Sequence, residues 1–122
     1  MSHVVTIETE VRDAAAVQAA CQRLGLTQPI HGTTQLFSGE AVGLAIQLPG
    51  WHYPVVCQLE TGQLKFDNYG GLWGERAQLD RFLQAYAIEQ AKLEARRHGH
   101  QATETQLADG YIKVTVQIGG AA

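Results

Sequence analysis

Between about Arg76 and His98 the apolar residues return at helical intervals, and this segment constrains the fold more than any other. Leu79, Phe82, Leu83, Tyr86, Ala87 and Leu93 fall on one side of a helix, with Ile88 on its flank. Gly99 stands where a left-handed residue would end such a helix. A long helix with one apolar side must lie on something, so the rest of the chain has to supply a surface for it.

That surface is written in a different period. Val5, Ile7, Thr9 and Val11 alternate with Thr6, Glu8 and Glu10, the pattern of a strand with one buried face. Val42, Leu44, Ile46 and Leu48 alternate with Ala41, Gly43 and Ala45, small residues that would let something approach the second face closely. Tyr53 to Leu59 and Gln63 to Tyr69 form two β-type runs around Glu60-Thr61-Gly62, and Ala102 to Leu107 pairs with Tyr111 to Ile118 through Asp109-Gly110. A first, shorter helix begins at the N-cap Asp13, repeats apolar residues at Ala14, Val17, Cys21 and Leu24, and ends at Gly25. Pro29 to Phe37 is polar and rich in Thr and Gly, and reads as an edge strand or an irregular approach to the sheet. The order β, α, several β, α, β, β leads to an α+β fold over residues 1–122 as a single domain. Two helices are expected on one face of an antiparallel sheet, in a ferredoxin-like split β-α-β arrangement with extra hairpin strands.

Composition bounds the function. With 45% apolar and 17% charged residues the 122-residue chain can build a core. A net charge of −3 supplies no positive field for nucleic acid. Lys92, Arg96 and Arg97 cluster near the end of the second helix, where the helix dipole favours cations in any case. Cys21 and Cys57 have no metal-type spacing and read as small buried hydrophobes. The start, Met-Ser-His-Val-Val-Thr, has no signal-peptide character, and no apolar run reaches the ~20 residues of a membrane helix, so a cytoplasmic location without membrane contact is expected. GxSxG, P-loop, dinucleotide and CxxC motifs are all absent.

Several short motifs, taken in order, resemble a known family. Ser2-His3 opens a strand that runs through Ile7 to Asp13. Asp67 precedes an aromatic at Trp73; Leu79, Phe82, Gln84-Ala85-Tyr86-Ala87 and Gly99 follow, and Asp109-Gly110-Tyr111-Ile112-Lys113-Val114 closes the series. The pattern is similar to domain of unknown function 1257, which includes a conserved plastid reading frame of algae and relatives in cyanobacteria, other bacteria and phages. The resemblance spans nearly the whole chain except Pro29 to Pro54. It implies a small cytosolic or stromal protein without an established activity, sometimes encoded near an ATPase of the AAA class.

The residues able to carry chemistry are few. His98 and His100 flank a helix end and read as solvated histidines rather than metal ligands. His3 lies on the apolar parity of the first strand, where its ring would bond a carbonyl or Asp67. Trp51-His52-Tyr53 suits either a contact surface or the cover of a core end. Asp67, Trp73, Gln84 and Tyr86 join a strand end, the Gly70/Gly71/Gly74 loop and the following helix. Trp73 is expected over the helix start, with Gln84 or Tyr86 bonding across to the sheet. No cofactor is implied. The expected function is a small binding or adaptor protein acting through protein contacts, with an AAA-class ATPase or a second copy as partner. The alternative is a small-molecule or metal-binding enzyme using His3, His52 and Asp67 near the Trp73 loop.

Overall fold

The computed structural model describes residues 3–118. β1 (Val5–Glu8) leads to α1 (Ala14–Leu24), then to β2 (Ile30–Leu36), β3 (Gly39–Ile46), β4 (Val55–Gln58) and β5 (Gln63–Phe66). A short 3-10 turn (Tyr69–Gly71) precedes α2 (Arg76–Arg97), and β6 (Gln101–Gln106) and β7 (Ile112–Gln117) follow. Among the described residues no helix is long and apolar enough to cross a membrane.

Local chemistry sets the helix ends. The Asp13 carboxylate accepts from the N–H groups of Ala15 and Ala16 at 3.0 and 3.3 Å, and Gly25 adopts φ 71°, which only glycine reaches without strain. Arg97 then reaches across from α2 to Asp13 at 2.6 Å and holds its carboxyl below the usual carboxylate range, tying the two helices together.

Five strands form one antiparallel sheet in the order β1-β5-β4-β3-β2. β2 to β5 is a plain meander, and β1 adds to its far edge by pairing with β5, from Val5 against Phe66 to Glu8 against Gln63. Pro29 to Phe37 is therefore an edge strand. The strand order departs from the ferredoxin-like plan in two ways. β1 lies at an edge instead of inside the sheet, and the strand after α2 does not return to it, because β6 and β7 pair only with each other.

His31, Leu44, Cys57, Leu64 and Ile7 stand side by side across the sheet, which identifies the face the helices cover. Leu44, Ile46, Val55, Cys57, Leu64 and Phe66 meet Val17, Ala20 and Cys21 of α1 and Leu79, Phe82 and Tyr86 of α2 in one core. Both thiols are buried, and burial pushes Cys57 up to about 12 and raises Cys21, so each serves as a neutral apolar group. A smaller cluster of Leu36, Ala41 and Val56, with Val4 and Tyr53 beside it, lies on the other face. A Cβ at Gly43 would stand 2.5 Å from the Cys57 carbonyl oxygen and 3.0 Å from a Val56 methyl, so the small residue there is required by this chain's own packing.

The β6–β7 hairpin forms a third layer against α2. Lys92 meets Glu104 at 2.6 Å, and Arg23 of α1 meets the same carboxylate at 2.6 Å. Gln84, Ile88 and Lys92 follow at i, i+4 spacing, so this second side of the helix faces the hairpin and Ile88 is buried there. Lys92 and Arg97 are thus engaged in ion pairs inside the fold.

Candidate functional site

The two tryptophans define the loop end of the sheet. Trp51 is 5% exposed, donates its indole N–H to the Glu75 carbonyl at 3.0 Å, and sets its ring edge-on to Phe66 at 5.5 Å. It passes so near Gly74 that a Cβ there would lie 2.3 Å from the indole. The residue over the start of α2 is therefore Trp51 and not Trp73, and Gly74 is what makes room for it.

Trp73 turns to the other side. Its ring centroid lies 4.7 Å from Tyr69, 5.2 Å from Phe37, 5.8 Å from His52 and 5.8 Å from Tyr53, which makes it the hub of an aromatic patch. Phe37 is 61% exposed and the adjoining Leu72 76% exposed, while Trp73, Tyr53 and Tyr69 are half-buried. The rings come from three loops: the β2–β3 turn, the β3–β4 loop and the loop after β5.

Asp67, 1% exposed, holds two of these loops together. Its carboxylate accepts from the Tyr69 N–H at 3.3 Å and from the Ser38 hydroxyl at 3.4 Å. The third loop is tied in when the His52 N–H donates to the Trp73 carbonyl at 2.9 Å. Asn68 closes the segment from within: its carbonyl accepts from the Trp73 N–H at 2.9 Å and its side chain donates to the Gly74 carbonyl at 3.2 Å. Tyr69 has φ 48°, the only positive φ at a non-glycine among the described residues, a conformation that costs on the order of 1 kcal/mol. The strain is held where the chain aims the Tyr69 ring at Trp73.

The residues singled out from the sequence thus divide. His52, Tyr53, Asp67 and Trp73 converge on the patch, and Trp51 packs into the core beneath that end. Tyr86 is buried, and its hydroxyl accepts from the Arg12 and Asp13 N–H groups at 3.1 and 3.0 Å, so it anchors the β1–α1 loop, far from the role of a site residue beside Trp73. Gln84 is exposed and borders a surface hollow at the hairpin tip with Asp109 and Tyr111. His3 is exposed, just before β1, and no hydrogen bond joins it to Asp67 among the described residues. His98 is exposed as expected and pairs with Glu94 at 2.9 Å, while His100 departs from the expected solvated state, being half-buried with Nδ1 unpartnered. Among the described residues no three His, Cys, Asp or Glu side chains are grouped to hold a metal ion.

Sequence reading missed Phe37, Tyr69 and Leu72. The signals were there: an aromatic at a Phe-Ser-Gly turn, and a Tyr-Gly-Gly-Leu run between a strand and a helix. Comparison with protein-family models, curated proteins and solved structures finds no match.

Proposed function

We propose that this chain is a non-enzymatic binding module that meets a protein partner through the aromatic patch centred on Trp73. The observation that carries the reading is the surface position of five rings gathered from three loops and braced from below by a buried carboxylate. Aromatic side chains offer large, stiff contact area at low entropic cost, and such residues dominate the energetics of protein interfaces. The strained Tyr69 backbone supports it further, since strain of this kind persists where a side chain must be aimed. The AAA-class ATPase implied by the family resemblance is the first partner to offer.

The enzyme alternative gains nothing from this arrangement. His52 meets Trp73 in a tilted ring contact and, among the described residues, is not hydrogen-bonded to Asp67, whose oxygens bond Tyr69 and Ser38.

The test is affinity capture from the native host with the wild-type chain and with Phe37→Ser and Trp73→Ala, each checked for folding by circular dichroism. A partner held by the wild type and released by both folded variants is the expected result. A partner held equally by all three would overturn the assignment of the patch.

A further inference from the structure

We infer that β2 is a self-pairing edge, on which a second copy of the chain adds its own β2 antiparallel to build a continuous ten-stranded sheet across a two-fold axis. In an antiparallel edge strand every second residue turns its N–H and C=O away from its neighbour, and β2 presents such a row over seven residues, Ile30–Leu36. Proteins protect an edge with charge, proline, bulges or shortness. The opposite edge follows that rule, since β1 has four residues and ends at Glu8. β2, Ile-His-Gly-Thr-Thr-Gln-Leu, has no charged residue and no proline, and it pairs with β3 without a bulge.

The occupant follows from the strand's own pattern. When two copies of β2 pair antiparallel about its middle residue, Thr33 faces Thr33, His31 faces Gln35 and Gly32 faces Thr34, so no like charges meet and a favourable Thr–Thr pair forms at the axis. Ile30 then falls opposite Leu36 on the face away from the helices. Ile30 is 72% exposed in the single chain while Leu36 is already 1% exposed, so the apolar gain on this face is the cover of Ile30 beside the Leu36 end of the partner strand. The contact is isologous and closes at two copies.

The inference rests on β2 alone and stands or falls independently of the Trp73 patch. Its test is light scattering coupled to size exclusion over a concentration series, with wild type, Thr33→Lys, Thr33→Glu and an equimolar mixture of the two variants. Thr33 is an exposed side chain, so both variants should keep the wild-type circular dichroism spectrum. The expected result is a wild-type mass twice that of the chain, a single-chain mass for each variant alone, and return of the doubled mass in the mixture, where Lys meets Glu at the axis. A wild type that stays single at every concentration, including one whose β2 amides become protected only by a different protein, overturns the inference. So does a dimer that survives Thr33→Lys, or a mixture that fails to recover.

Discussion

Trp51 and Trp73 lie at the same end of the sheet, twenty-two positions apart and each beside a glycine, yet the fold uses them in opposite ways. Trp51 is enclosed, with its N–H paired and its ring pressed on Gly74 and Phe66. Among the described residues Trp73 makes ring contacts only with other residues of the loops, and it keeps part of its surface in solvent. One indole serves stability, and the other is the one we propose for recognition. Residue type alone does not distinguish these roles; the neighbours do.

The contrast is sharpest in stability. Trp51→Ala empties a core site and removes the indole hydrogen bond to the Glu75 carbonyl, which the Gln78 N–H still meets, and should cost about 4 kcal/mol in chemical denaturation. Loss of only about 1 kcal/mol would place Trp51 in the same class as Trp73 and break the comparison. Gly74→Ala puts a methyl group where the indole already is, and should cost about 2 kcal/mol by overpacking while shifting the fluorescence of Trp51. A neutral Gly74→Ala would mean that the ring has room to move. Trp73→Ala should lower stability by about 1 kcal/mol while abolishing partner capture, a separation of effects that a structural role for Trp73 would not give.

The smallest effect lies outside both tryptophans and serves as their control. Arg23 and Lys92 hold the Glu104 carboxyl down to about 2, against an ordinary value of 4.5. A carboxylate with a lowered folded-state value contributes stability that is complete above 4.5 and is lost as the pH falls toward about 2. Both flanking cations are partly exposed, so solvent screens the contribution. Acidification through this window should speed hydrogen exchange in β6 and β7, Glu104→Gln should remove that dependence, and the emission of Trp51 should stay unchanged. A parallel change in Trp51 emission would show that the hairpin and the core unfold together.

Much of the backbone plan was legible because its causes are local. Asp13 and Gly25 bound α1, Gly62 and Gly110 mark hairpin turns, and the change from alternating to helical period gives the α+β class. Pairing the β2 to β5 meander needed only short turns between neighbours. The order of the sheet was not legible in the same way. β1 joins β5 across more than fifty residues of chain, and the hairpin leaves the sheet because α2 exposes a second side through Gln84, Ile88 and Lys92 that needs cover.

For the candidate site the division is similar. Asp67, His52, Tyr53 and Trp73 could be named from composition and spacing, but their convergence depends on hydrogen bonds between loops, Ser38 to Asp67 and His52 to Trp73 among them. Gln84 and Tyr86 lie on α2, which follows Trp73's loop, but the helix turns them away from the patch, since proximity in sequence says little about which side of a helix a side chain takes. The sequence by itself determined the periods, caps and turns, which are settled by steric and hydrogen-bonding preferences within a few residues. Only the tertiary structure decided which tryptophan is buried, because that depends on the space left by Gly74 and on which loop crosses which, energies that exist only once distant segments are packed together.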